Sequence, residues 1–452
     1  MKELKKELKI SPSLREQEKI SYASDVIYVP EGGIDCNEGC NPYGFPPALE
    51  EAMADFDIKR FGPYPHSHAI YDGLREYWKG YSDIEPENVL LADGSISALY
   101  VIFGLFQAPG AVVLGNAPTF SDAEMAARML GMEWRAVALN ADRNYRFDPD
   151  AFVEQITDDV TMIYIDNPNN PTGQVINLYA IEKILDRALE VGAGVVIDEA
   201  YGDFMPNQNS AMTLTEEYPN LIMVRTMSKA FGLAGLRVGY IIAGKPIIRY
   251  MKKLRDPYMV SEFAREMAGK ALMYPYHFWN NMLDFAKMKR EIREALKRAG
   301  HLSMAETDDM VSIFVLYHDD PAVDLQKVFW ENKVLCVSGA DFAGMERNFV
   351  RIRLPKMEDF PILLEAVQRI HDGASDKNKN PQGKASGAAS GENIQRIRGI
   401  WQKNKRQYTY ARSAEMKATA GRDSAVFAAP GTALWSRKWR RHRRSPTIPG
   451  GE

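Results

Sequence analysis

The sequence predicts an α/β fold: a mostly parallel, seven-stranded sheet in a large domain, followed by a smaller α+β domain. Seven β-rich runs, "NVLLA", "AVVLG", "WRAVAL", "TMIYID", "GVVIDEA", "LIMVRT" and "VGYIIA", alternate with helix-length amphipathic stretches before residue 275. That alternation argues a parallel sheet with helices on both faces. Each run leads into polar or glycine-rich residues, and in such sheets ligands gather at the C-terminal strand ends. Beyond residue 275 the pattern changes. A long helical stretch, "HFWNNMLDFAKMKREIREALKRAG", closes at Gly300, after which "SIFVLY", "KVLCVSG" and "FVRIRLP" alternate with "DLQKVFWENK" and "FPILLEAVQRI".

The expected division is therefore an N-terminal arm over residues 1–44, a large domain over 45–275, a small domain over 276–372 that residues of the arm join, and a tail over 373–452. The turn-formers Gly39, Asn41, Pro42, Gly44 and Pro46 mark the arm's entry into the large domain. With 452 residues, 45% of them hydrophobic, the chain has material for two or three packed domains. Its net charge of −4 conceals an asymmetry: the tail carries 17 Lys+Arg against 5 Asp+Glu, the preceding body 39 against 55. The tail's composition, "GASDKNKNPQGKASGAASGEN" and then "WSRKWRRHRRSPTIPGGE", predicts disorder.

Cys36, Cys40 and Cys336 are odd in number and form no C-x-x-C pair, so neither a disulfide framework nor a metal site is expected, and a reducing, cytoplasmic setting fits. The first twenty residues mix acids with bases and lack an apolar core. No segment approaches the roughly 18 uncharged apolar residues of a membrane span, so neither export nor membrane insertion is expected.

The chemistry concentrates in the loops after the strands. In "TMSKAFGLAGLRVGY", Lys229 sits among small residues and glycines. Desolvation there favours a neutral, nucleophilic amine of the kind that condenses with an aldehyde. A lone lysine is more often a surface residue; here Thr226, Ser228 and Arg237 supply hydroxyls and a guanidinium suited to a phosphate dianion. An aldehyde that carries a phosphate is pyridoxal 5′-phosphate.

In "VVIDEAYGDF" an apolar strand delivers Asp198 and then Tyr201. A carboxylate there holds a pyridine nitrogen protonated, and a phenol bonds the ring's hydroxyl. "VVIDE" also suits a nucleotide hydrolase, but the chain has no G-x-x-x-x-G-K-[ST] to accompany it. "IDNPNNPTG" presents Asn170 on a tight turn, and in "LLADGSISALY" Gly94 and Ser95 open a helix whose free N–H groups suit an anion. Phe120 in "NAPTFSDAE" offers an aromatic face to a planar cofactor.

In this order, the motifs resemble the fold-type I pyridoxal-phosphate enzymes, specifically the class I/II aminotransferases that include aspartate and histidinol-phosphate aminotransferases, from about Gly32 to His371. The resemblance implies that Lys229 is the Schiff-base lysine, Asp198 the partner of the pyridine nitrogen, Tyr201 and Asn170 the ligands of the ring oxygen, and Phe120 the stacking residue. It assigns the phosphate to Gly94, Ser95 and Ile96 with Thr226, Ser228 and Arg237, and to Tyr64 reaching across a homodimer. Arg351 in "NFVRIRL" takes the substrate α-carboxylate, with Arg353 on the same side of the strand as the alternative. Gly39 lets the backbone approach the substrate.

The implied reaction is transamination between an amino acid and a 2-oxo acid. Where histidinol-phosphate aminotransferases carry an arginine for the substrate phosphate, "KVLCVSGADFAG" has Val337, so an unphosphorylated substrate is expected. The same scaffold also hosts phosphothreonine decarboxylases and amino-acid cyclases. A cofactor-binding regulator is a further alternative raised by the basic tail, yet that tail shows no base-reading module and no specific nucleic-acid partner is expected.

Overall fold

The structure, a computed structural model, describes residues 9–17 and 28–373. The expected disordered tail lies outside the described residues, as does much of the arm. Among the described residues the chain passes through a two-residue strand, β1 (Ile34–Asp35), before it enters the large sheet. That sheet consists of β2 (Val89–Ala92), β3 (Val112–Ala117), β4 (Glu133–Ala138), β5 (Val160–Asp166), β6 (Gly194–Asp198), β7 (Leu221–Thr226) and β8 (Gly239–Ala243). Its order is β2-β8-β7-β6-β5-β3-β4. All neighbours pair in parallel except β8, which runs antiparallel to both β2 and β7. The seven runs expected from the sequence are these seven strands.

Central strands covered on both faces read as continuous apolar runs, and β6 and β7 are buried at every position. Alternate residues serve opposite layers. Val195 and Ile197 join one core with Ile163 and Ile165; Val196 joins the other with Tyr164 and Val224. The helix Leu178–Val191 buries Ile181, Ile184, Leu185 and Ala188, a single stripe at helical spacing. Asn177 starts it by accepting from the Ala180 N–H, and Gly192, left-handed at φ 73°, ends it. Each such isoleucine or leucine contributes roughly 1.5–3 kcal/mol on burial.

The C-terminal part holds β9 (Leu302–Met304), β10 (Ile313–His318), β11 (Val334–Leu335), β12 (Val337–Ser338) and β13 (Phe349–Arg353). Four of these form an antiparallel sheet, β12-β13-β10-β9, while β11 pairs in parallel with β1. "KVLCVSG" is thus two short strands serving two sheets, not one run. The long helix spans Tyr276–Ala295 and stops short of Gly300. Residues 296–300 turn instead to meet the end of the helix Phe360–His371: Arg298 O bonds His371 Nε2, and a Cβ at Gly300 would lie 2.4 Å from His371 O.

From β1 the chain crosses between the sheets within a few residues. Cys36 O accepts from the Arg353 N–H, and the Asn41 N–H donates to Lys229 O. Residues 36–41 therefore form a strap from β13 to the loop after β7. No helix among the described residues is long and apolar enough to cross a membrane.

Candidate active site

A cavity of about 510 Å³ opens at the C-terminal ends of β3, β5 and β6, walled by residues 37–40 and the start of the helix Ser95–Phe106. Among its lining residues are Gly39, Ser95, Ile96, Phe120, Asn170, Asp198, Tyr201, Ser228, Lys229 and Arg237, all singled out from the sequence. A larger cleft of about 710 Å³, bounded by Tyr77, Trp279, Met282 and Leu283, is lined by neither lysine nor arginine.

One end of the cavity is built for an anion. Gly94, at φ 100°, precedes the helix, and a Cβ there would lie 2.3 Å from the Arg237 guanidinium, so only glycine fits. Arg237 is itself left-handed and is aimed by bonds to Ala234 O (3.0 Å) and Asp93 O (3.1 Å). Ser228 faces the cavity. Thr226 does not line it: its hydroxyl donates to Val238 O (2.9 Å) and lies 2.9 Å from Ser228 Oγ, behind which it stands. Lys229 is half-buried, with Nζ 5.3 Å from the centre of the Tyr201 ring.

The opposite wall carries two buried carboxylates. Asp198 ends β6 beside Asp166 at the end of β5. Asp198 accepts from the Tyr164 hydroxyl (3.0 Å) and the Ala200 N–H (3.0 Å). Burial, and then the charge of Asp166, push it up to about 7 against the pull of these bonds and of Lys229. Burial likewise lifts Asp166 to about 6. Sequence reasoning missed Asp166, although it ends an apolar run in "TMIYID" just as Asp198 does in "GVVID". It also passed over Asn37, Glu38, Cys40 and Asp122, which line the cavity too. Gly39 packs on Tyr201 so tightly that a Cβ would fall 1.7 Å from its hydroxyl.

Arg351 and Arg353 are both buried in β13. Arg353 spends its guanidinium on backbone, bonding Glu38 O (2.9 Å), Leu354 O (3.1 Å) and Asp35 O. Arg351 donates to Asn170 Oδ1 (2.9 Å) and Asn37 O (2.7 Å), two residues of the cavity wall, although it is not itself part of the lining. Tyr64 lies away from the cavity, 70% exposed and stacked on Tyr258.

Glu199 turns away from the cavity. Its carboxylate takes Arg225 Nη1 (2.5 Å), the Ser210 hydroxyl (2.6 Å) and the Ala211 N–H (2.8 Å). Arg225 also bonds Asp203 (2.6 Å), which accepts from the Tyr77 hydroxyl (2.8 Å), so a buried ion network underpins the loop that follows Asp198 and carries Tyr201. Elsewhere His301, His318 and Asp319 bring ligand atoms within 4.8 Å of one another. The two imidazole rings are stacked, their centroids 5.2 Å apart and their planes inclined by 10°.

A half-buried lysine, an anion cradle at a helix start and a buried carboxylate whose bonded partners are neutral suit an aldehyde, a phosphate and a cationic ring nitrogen respectively. Fold and cavity together define a fold-type I pyridoxal-phosphate scaffold. The family model "Aminotransferase class I and II" matches residues 33–367, and the chain belongs to that family. It is a pyridoxal-phosphate-dependent aminotransferase.

Among similar proteins, histidinol-phosphate aminotransferase of Methanocaldococcus jannaschii is 25% identical over 80% of this chain and 95% of its own. The structure of histidinol-phosphate aminotransferase from Clostridium acetobutylicum superposes with a TM-score of 0.66 at 23% identity, covering 75% of this chain and 99% of that one. The L-threonine-O-3-phosphate decarboxylase of Porphyromonas gingivalis shares the fold, with a TM-score of 0.63 at 22% identity over 74% of this chain and 98% of the other.

Proposed function

We propose that the protein transfers the amino group of an unphosphorylated amino acid to a 2-oxo acid. The observation that carries the substrate class is Val337, 1% exposed and paired with Arg351 across β12 and β13, where a phosphate-binding guanidinium is wanting. The cations that line the cavity are Lys229 and Arg237, and Arg237 belongs to the anion cradle.

Bound in this cavity, pyridoxal phosphate supplies an aldehyde for the amino group and a ring that accepts electrons. Gly94, Ser95 and Ile96 with Ser228 and Arg237 hold its phosphate, Thr226 orienting Ser228. Asp198 holds a proton on the ring nitrogen, Tyr201 and Asn170 bond the ring oxygen, and Phe120 covers the ring face. With its amine free, Lys229 would act at Nζ as the base that takes the substrate's α-proton and then as the acid that gives it back. Arg351, held by Asn170, grips the substrate carboxylate beside Gly39.

The same reading divides the chain into an arm to residue 44, a cofactor domain over 45–275 and a small domain over 276–372. It also makes the protein a cytoplasmic homodimer in which Tyr64 reaches the partner's site. The exposure of Ile58 (74%), Phe61 (58%) and Tyr64 supports a second copy on that face. A fully active monomer in sedimentation would contradict it.

The second reading takes histidinol phosphate as amino donor, as the name of the Methanocaldococcus jannaschii relative suggests. Incubating the protein with a panel of amino acids and histidinol phosphate, and identifying products by mass, decides between them. Preference for histidinol phosphate over every free amino acid overturns the unphosphorylated reading, and a product that has lost its α-carboxylate overturns transamination. Lys229→Ala is expected to abolish turnover and the cofactor's protein-bound visible band; retained turnover would remove Lys229 from its role.

A further inference from the structure

Asp166 is 4% exposed, borders the cavity, and has no part in the steps above. Both of its oxygens are engaged. Oδ1 accepts from Thr119 Oγ1 (3.0 Å) and Asn169 Nδ2 (2.9 Å). Oδ2 accepts from the backbone N–H of Phe120 (3.2 Å) and of Asn170 (2.8 Å). Each oxygen therefore joins the same two segments, the loop after β3 and the turn after β5. Phe120 and Asn170 are the residues of those segments assigned to the ring face and the ring oxygen.

We propose that Asp166 is a positioning residue of the transamination site, a clamp that fixes Phe120 and Asn170 relative to each other across the place of the cofactor. This rests on the roles given above to those two residues. Two of the four donors are backbone N–H groups, which cannot reverse their polarity, so the clamp requires an acceptor at Oδ2. At Oδ1 the demand is mixed: the Thr119 hydroxyl can accept as well as donate, whereas Asn169 Nδ2 only donates, its amide oxygen being held by Thr172. An amide can thus keep three of the four bonds: its oxygen serves the two N–H groups and its NH₂ turns to Thr119, while Asn169 Nδ2 loses this acceptor and retains Pro118 O (3.2 Å). Alanine can keep none of them. A purely electrostatic role, in which the charge beside Asp198 is what matters, would make amide and alanine equally damaging.

The test compares Asp166→Asn with Asp166→Ala in the full chain, reading the dissociation constant for pyridoxal phosphate by tryptophan-fluorescence quenching, the melting temperature without cofactor, and KM and kcat for a turned-over amino acid. Asp166→Ala is expected to weaken cofactor binding by about 30-fold or more, the scale of leaving two buried N–H donors without an acceptor. Asp166→Asn should stay within about fivefold of the parent protein. If the role is only structural, Asp166→Ala lowers the melting temperature while the folded protein binds cofactor as before; that result overturns the proposal, as does equal damage from both variants. Should Asp166→Ala not fold, Asp166→Asn decides alone, a loss beyond about fivefold counting against the clamp. Phe120→Ala and Asn170→Ala run alongside: if neither weakens cofactor binding, the roles beneath the proposal fail, whatever Asp166 does.

Discussion

Asp198 and Glu199 are consecutive and both buried, yet they meet opposite surroundings. The turn of the chain at the end of β6 sends Asp198 into the cavity, where its hydrogen bonds come from a phenol and an amide. Glu199 is sent beneath the loop onto Arg225. The carboxylate of Glu199, bound to a guanidinium, is part of the scaffold; that of Asp198, which lines the cavity and is bonded to a phenol and an amide, can still take a cation. Two buried arginines differ in the bonds they make: Arg225 donates to the carboxylates of Glu199 and Asp203, and Arg351 to Asn170 Oδ1 and Asn37 O.

The sharpest way to break this comparison is to remove Arg225. Arg225→Leu strands two buried carboxylates and is expected to cost about 3–5 kcal/mol of stability. Urea unfolding with and without cofactor checks this, and a midpoint within error of the parent's would deny the network its structural role. Asp198→Asn should do the reverse. Its fold survives, because the amide needs no counter-charge, while turnover falls by about 100-fold or more as the ring nitrogen loses its partner. If Asp198→Asn instead unfolds the protein and spares the rate, the two carboxylates have been assigned the wrong way round.

The sheet was legible because seven apolar runs of strand length stand between helical stretches, and each became a strand. The cofactor end was legible for a related reason: its residues lie within a few positions of a strand end, where sequence position and spatial position coincide. Asp166 was missed because "IDNPNN" was read for its turn and its asparagine, not for the acid that ends the strand. Glu199 was unreadable, since sequence cannot show which of two adjacent acids faces a guanidinium 26 residues away. The substrate end proposed above depends on contacts between Asn37 and Arg351, 314 residues apart, and on a run that splits between two sheets. Long-range pairing of this kind leaves little local trace.

The uncompensated carboxylates also predict a pH dependence. Asp198 moves from 3.8 in the unfolded chain to about 7 when folded, and Asp166 from 3.8 to about 6. Both folded values are raised, so the folded state binds more protons than the unfolded one between these limits. The stability they contribute is full below pH 3.8 and is lost as pH rises through about 6 and about 7. Without cofactor, the protein's stability should therefore carry a falling component between pH 5 and 7, of about 1–2 kcal/mol per pH unit. Lys289, lowered by burial from 10.5 to about 7, contributes oppositely, stability rising between those values. Thermal melts of the parent and of Asp198→Asn across this range isolate the aspartate's share. An identical pH profile in the variant would mean that Asp198 does not carry the proton assigned to it.

The smallest expected effect comes from the second arginine. Arg351→Lys keeps a charge near Asn170 but exchanges a planar fork for a single ammonium, so a substrate carboxylate held by two parallel bonds would keep only one. KM for the amino acid should rise about tenfold with kcat changed less, since the grip is made in the bound substrate as much as in the transition state. Stability should change little compared with Arg225→Leu, because lysine keeps the positive charge in place whereas leucine removes one from between two buried carboxylates. Arg353→Lys is the control: the arginine's guanidinium is bonded to the backbone at Asp35, the end of β1, and at Glu38 in the strap. It should lower the melting temperature while leaving KM for the amino acid close to the parent's. A reversal of these two outcomes would move the carboxylate grip from Arg351 to Arg353 and make Arg351 part of the scaffold.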